Sequence, residues 1–412
     1  MVQLETPSGE FEKPKHLFMT DYLKNNQAGF AEVPFNCVDS LVLSTLVYLN
    51  LDAYAYGNVS GAQSVPVIDI LRFTDTQSML SGGWLKDSEA LPSFLVALGR
   101  SRRFADLHAC FFCNESSELI EKQFAACTFT FGDIHGCPQA YLAYRGTDGT
   151  LTGWKEDFNL SYRNVVPSQR AATRYASGVL SAITDNRHIY LGGHSKGGNL
   201  AEFAALTLDA DAYGRIAKVF NHDGPSFLEA PSARIDEPEF KAKLDKTVPE
   251  SSVFGMILES RDDFRIVQSD AMGLLQHVPF TWFVEDCDFK VQNELNESAQ
   301  LFDTTLDRWL RSCTPRQREV FIATAYELIT ASDARSWAEF QDSMLSNIAT
   351  LVRDGHNLDD NTKEIMVSTV KNLGNVAGAT LKESIGTLSH RIRKAIPFVD
   401  AKNEAAKDAD AL

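Results

Sequence analysis

Five residues, Gly193-His194-Ser195-Lys196-Gly197, set a hydroxyl between two glycines. A serine hydroxyl is a weak nucleophile until a base removes its proton during attack. The tetrahedral adduct that follows needs hydrogen-bond donors aimed at its oxyanion. A sharp strand–turn–helix elbow supplies both, because flanking glycines let a strand and a helix pass close to the exposed serine. The surrounding sequence suits such an elbow: the apolar run HIYL precedes it, and GGNLAEFAA, rich in small residues, follows. Ser195 is then a candidate nucleophile. The backbone N–H of Lys196, at the positive end of the following helix, is a candidate oxyanion donor.

A nucleophile of this kind needs a histidine base, with the partners in the chain order Ser, Asp or Glu, His. Of the nine histidines, only His222, His277, His356 and His390 follow Ser195. His356 and His390 fall in a helical pattern that suits a solvated face. His222 comes directly after a strand and close to the acid candidates. His277 lies in AMGLLQHVPFTWFVED, after the last expected strands and beside an aromatic run, and is the favoured base.

The elements that must hold these residues alternate up to about residue 330, the pattern of an α/β domain. Residues 35–51 carry apolar positions at helical spacing, with Asp39 or Ser40 near the start as a cap. Ala126–Phe131 and Gln139–Tyr144 are β-branched and aromatic, and flank the turn sequence GDIHGCP. Residues 168–183 predict a helix leading into a strand at His188–Leu191. Two further strands are expected at Arg215–Phe220 and Val253–Leu258. The charged stretch 225–250 between them reads equally as a lid or as an ordinary surface excursion.

Upstream of the elbow, YLAYRGTDGTLTGWKEDF (residues 141–158) presents a strand, then Arg145-Gly146-Thr147, then Trp154 and Asp157. With the elbow, this resembles the class 3, fungal-type triacylglycerol lipases, in which an RGT or RGS strand end precedes Trp-x-x-Asp and the elbow reads GHSLGG. The elbow here departs at Lys196. The likeness extends to FAEVPFNCVDSLVLSTLVYL and to residues 249–284. It covers roughly residues 20–330 and suggests a largely uncharacterised bacterial branch. By this resemblance Thr147 supplies the second oxyanion donor, while Trp154 and Asp157 brace the loop. The acid follows the second strand after the elbow, which nominates Asp263, with Asp262 close behind. Asp223, in FNHDGPSF, is the rival, although its stretch aligns with a structural glycine–proline turn of the lipases. The separation of Asp263 from His277 is shorter than those lipases usually show.

Composition narrows the alternatives. The chain has 412 residues, 44% hydrophobic and 23% charged, which is ample for a large core. A net charge of −16 argues against a nucleic-acid binder, which needs a basic face. The first residues lack a basic-then-apolar export signal, and Leu41–Leu51 is too short to span a bilayer, so a cytoplasmic protein is expected. Seven scattered cysteines fit reduced thiols, with His108-Ala-Cys110-Phe-Phe-Cys113 in a buried run and not a metal or redox motif.

Together these features predict an α/β-hydrolase fold over residues 1–335, with a mostly parallel central sheet flanked by helices. A C-terminal helical extension and tail follow over 336–412. Residues 340–396 carry apolar positions at three-to-four spacing, suited to docking, self-association or a membrane surface. The expected activity is hydrolysis of a small-molecule or lipid ester through an acyl-enzyme on Ser195, without metal or organic cofactor. An acyltransferase or thioesterase would use the same residues. A scaffold built on a hydrolase fold is the alternative from another class.

Overall fold

The computed structural model describes residues 16–51, 64–73, 88–148, 162–259 and 263–297, with single residues or short groups between and beyond them. Trp154, Asp157 and Asp262 lie outside the described residues. So does the helical extension from 336 onward, apart from Glu364 and Ser368, which are helical.

The central element is a nine-stranded sheet in the order β1-β2-β3-β4-β5-β6-β7-β8-β11. Its strands are β1 (Val65–Pro66), β2 (His108–Ser117), β3 (Lys122–Phe131), β4 (Gln139–Tyr144), β5 (His188–His194), β6 (Ile216–His222), β7 (Leu244–Pro249), β8 (Phe264–Val267) and β11 (Val291–Gln292). Strands β4 to β8 run parallel and adjacent, so the sheet is the mostly parallel one that the alternation predicts. Antiparallel strands extend it on either side. A small ribbon pairs β9 (Val284–Glu285) with β10 (Asp288–Phe289).

Each step from β4 to β7 moves the same way across the sheet. Crossovers of one hand therefore fall on one face. That face carries α5 (Pro167–Ala182), α6 (Lys196–Thr207) and α8 (Pro238–Lys243), with α7 (Ala210–Gly214) between α6 and β6. Ala172, Ala201, Ala204, Leu206 and Phe240 are buried there. The small residues of α6 let it lie close on the strands. The opposite face is covered by α1 (Met19–Asn25), α2 (Cys37–Leu46) and α4 (Ala90–Arg100), with α3 (Val67–Phe73) beside β1.

Helix α2 is buried over its whole length. Its cap is Asn36, not Asp39 or Ser40: the Asn36 side chain accepts from the amides of Val38 and Asp39, and Asp39 returns a bond to the Asn36 amide. This is a capping box. Asp39 also receives both Nε and Nη2 of Arg103, at 2.8 and 2.6 Å, with both side chains fully buried. Arg103 reaches on to the carbonyls of Ala28, Val33 and Pro34, and so ties the entry of α2 to the chain before it.

Three sequence expectations hold closely. The turn around GDIHGCP joins β3 and β4 in register, Phe131 opposite Gln139. The helix expected at 168–183 is α5, and the strand expected at 215–220 is β6. The strand expected at Val253–Leu258 is instead a turn, and the real next strand is β7. Residues 225–250 thus include a parallel strand of the sheet, and Phe227, Ile235 and Phe240 are buried on the α6 face. Alternating Lys246 and Asp245 disguise β7 in sequence, yet Lys246 is buried against Glu259.

The Asp39–Arg103 pair yields a stability prediction. Asp39→Ala strands a buried guanidinium and should lower unfolding free energy by about 3–5 kcal/mol, read from urea denaturation. Exposed Lys24→Ala, which loses a surface pair, should shift it by less than about 1 kcal/mol.

Candidate active site

Ser195 joins the end of β5 to the start of α6 with φ 60° and ψ −135°, a conformation that costs a side-chain-bearing residue on the order of 1–3 kcal/mol. The turn is tight enough to exclude side chains on both flanks. A Cβ on Gly193 would fall 2.3 Å from the backbone carbon of Gly197, and one on Gly197 would fall 2.1 Å from the carbonyl oxygen of Tyr144. The two glycines of the motif therefore have a steric cause.

The backbone ladder sets Ser195 next to the candidate acids. Its amide donates to the His222 carbonyl at 2.9 Å, and His194 pairs with His222 in the parallel register. Asp223 follows directly, also at positive φ (54°), with its amide donating to the Thr247 carbonyl at 2.7 Å. Its carboxylate is fully buried. Oδ1 accepts from the Ser252 hydroxyl and from the Gly255 amide at 3.1 Å. Oδ2 meets Nδ1 of His277 at 2.6 Å.

This arrangement brings the rival carboxylate, and not the nominated one, to His277. The carboxylate against His277 is that of Asp223, whereas Asp263 lies just before β8 with its carboxylate 3.8 Å from Arg261. The expectation of Asp263 rested on a strand at Val253–Leu258. That segment is the turn that supplies Ser252 and Gly255 to Asp223, so the loop after it is one element too late. Behind the turn, Glu202 of α6 pairs with Arg261, Arg261 with Glu259, and Glu259 with Lys246. Burial alone would raise the Glu259 carboxyl, but Lys246 and Arg261 overcome it and hold it at about 2.

His277 ends a short 3-10 turn, Gly273–His277, and its ring is enclosed by aromatic neighbours. Phe254 lies 4.3 Å from its centroid and His194 4.5 Å. With Nδ1–H donated to Asp223, the imidazole ring is oriented by that carboxylate. The His277 carbonyl also accepts from Nε2 of His194 at 2.8 Å. His277 is thus fastened through its ring to the residue after β6, and through its backbone to the residue before Ser195. His194 had no role in the sequence reading beyond filling the motif. Its part is visible only once β5 and the 273–277 turn are side by side.

The Arg145-Gly146-Thr147 segment leaves β4 against the same elbow. A Cβ on Gly146 would sit 2.7 Å from the His194 carbonyl oxygen, and one on Gly197 3.0 Å from the Gly146 nitrogen. Thr147, half-buried, comes next in the chain. Lys196 opens α6, where first-turn amides have no acceptor within their own helix. Asn199 of α6 donates to the Pro225 and Ser226 carbonyls at 3.0 and 3.1 Å, which anchors the chain beyond Asp223.

Beneath the site runs a buried polar chain. Ser44 and Ser40 of α2 bond the Tyr141 hydroxyl at 2.7 and 2.8 Å, Ser40 bonds Nε2 of His222 at 2.8 Å, and Nδ1 of His222 meets the Thr247 hydroxyl at 2.8 Å. Burial drives His222 down to about 3. Burial, with the His277 and His222 rings adding, holds His194 well below an ordinary imidazole. Both rings are neutral spacers in the folded chain. Among the described residues, no group of three His, Cys, Asp or Glu side chains could hold a metal ion. No described helix is long and apolar enough to cross a membrane.

The sequence matches the model of the Mbeg1-like family over residues 98–327, more than half of the chain, and the protein belongs to that family. The family is related to the lipase-like class 3 proteins. No curated protein matches the sequence.

The two neutral histidines give a pH prediction. Unfolded, each takes up a proton below about pH 6.5, while folded each stays neutral well below that. Their contribution to stability is full above about pH 6.5 and is lost as pH falls toward the folded values. Between about pH 7 and pH 5, each should cost about 2 kcal/mol of unfolding free energy. Urea titrations at the two pH values check this, and His222→Gln should remove about half of the difference.

Proposed function

We propose that this Mbeg1-like protein is a serine hydrolase of carboxylic esters, acting through an acyl-enzyme on Ser195. The observation that carries the proposal is the Asp223–His277 bond beside a strained Ser195 elbow. His277 Nε2 takes the Ser195 proton as Oγ attacks the acyl carbonyl, and Asp223 stabilises the imidazolium that forms. The backbone N–H groups of Lys196 and Thr147 receive the oxyanion. His277 then protonates the departing alcohol, and water, activated by the same ring, releases the acid. No cofactor enters this sequence of steps.

An apolar, lipid-type acyl group is the substrate class we favour. Met272 and Leu275, 84% and 64% exposed, stand on the turn that leads to His277. Large apolar side chains so exposed beside a candidate catalytic base suit an acyl chain better than a polar leaving group. The relation of the family to lipase-like proteins points the same way.

A fluorophosphonate probe tests the nucleophile. Wild-type protein should be labelled at Ser195, and Ser195→Ala and His277→Ala should abolish labelling. A folded wild-type chain that does not react would overturn the proposal. On nitrophenyl esters, Asp223→Asn should lower kcat on the order of 10³–10⁴-fold, while Asp263→Asn should stay within about threefold of wild type. Rates that rise with acyl length, and fall when Met272 and Leu275 are both changed to Ser, would support the apolar substrate. A flat profile would refute it.

A further inference from the structure

Lys196 follows the candidate nucleophile directly, yet its side chain turns inward and is 2% exposed. Among the described residues its ammonium donates to Gln123 Oε1 at 2.7 Å, the Gln123 carbonyl at 3.2 Å and Glu156 Oε2 at 3.2 Å. Glu156 is fully buried and equally well used. Its Oε2 also accepts from the Gln123 amide at 3.0 Å, and its Oε1 from the Ser168 amide at the start of α5 at 2.9 Å. Four segments therefore meet at one ion pair: the start of β3, the chain around 147–156, and the first turns of α5 and α6.

Two of those segments carry the candidate oxyanion donors. The Lys196 backbone opens α6, and Thr147 lies nine residues before Glu156, which is helical. A Cβ on Gly153 would fall 2.9 Å from Cγ2 of Thr147 and 3.1 Å from Oε1 of Gln123, so Gly153 lies between Thr147 and an acceptor of Lys196. We propose that the side chains of Lys196 and Glu156 are a positioning pair for the oxyanion site, fixing the spacing between the Thr147 and Lys196 amides. The proposal rests on the Ser195 hydrolase reading given above. Burying an ion pair adds little net stability compared with a packed apolar pair of the same volume. What it adds is direction, since each of these bonds restricts the Glu156 segment relative to α6. An oxyanion site needs that directionality, because its donors act only where the negative charge develops.

The test uses Lys196→Met, which keeps the aliphatic stem and the backbone N–H, and Lys196→Met with Glu156→Gln, which removes both charges together. Each is assayed in the full chain for melting temperature, nitrophenyl ester turnover across pH, and fluorophosphonate labelling rate. The double variant should melt above Lys196→Met alone, because no lone charge is left buried. Its kcat should still fall roughly tenfold to a hundredfold, with KM within about threefold and the midpoint of the pH profile unmoved. Labelling should slow in proportion. Recovery of kcat together with melting temperature in the double variant would make the pair merely structural and overturn the proposal, as would a loss confined to KM. Wild-type protein unreactive at Ser195 would sink the hydrolase reading and this proposal with it. A reactive wild type with unchanged turnover in both variants would overturn the pair alone.

Discussion

The close passage of three backbone segments at Ser195 governs the rest of this fold. Tyr144, the end of β4, lies against Gly197 of α6, and Gly193, one residue before the end of β5, lies against both. Any side chain at these glycines would drive α6 away from the sheet. The compactness propagates outward. Because α6 approaches so nearly, its alanines can lie against β4, β5 and β6, and Asn199 can reach the chain beyond Asp223. The elbow thus determines where the chain after β6 must lie, and so where a buried carboxylate can stand.

Polar groups around this elbow are joined in pairs across elements and not along them. Asp223 links the end of β6 to the 252–255 turn and to His277. His194 links the end of β5 to His277. His222 links α2, β6 and β7. Each buried donor or acceptor would be expensive unpaired, so each of these bonds restricts one element relative to another. The site is held by a web of such restrictions and not by any single strong contact.

Much of the architecture was legible in the sequence because it rests on local signals. The glycine spacing of the elbow, the alanine-rich helix after it, the β-branched runs of β3 and β4 and the turn residues between them all act within a few positions. The nomination of His277 rests on chain order and on its place after the strands. That Asp223 and not Asp263 meets His277 is hidden in the sequence, because it depends on which later segment is a strand. Val253–Leu258 is apolar enough to pass for one, while Leu244–Pro249 carries Asp245 and Lys246, whose charges are matched only in three dimensions. The inward Lys196 was beyond reach for the same reason: its partners Gln123 and Glu156 are 73 and 40 residues away.

Helix α2 has a consequence for how the chain is made. All of its residues are buried, yet the groups that cover it come far later: Tyr141 is 101 residues beyond Ser40, and His222 is 182. At synthesis rates of 5–20 residues per second, the helix waits roughly ten to forty seconds for His222. Throughout that interval an apolar segment is outside the ribosome without the sheet that will receive it. A nascent chain of this design has reason to engage a holding chaperone at its N-terminal end, and a release that comes before β6 emerges would expose α2 to aggregation.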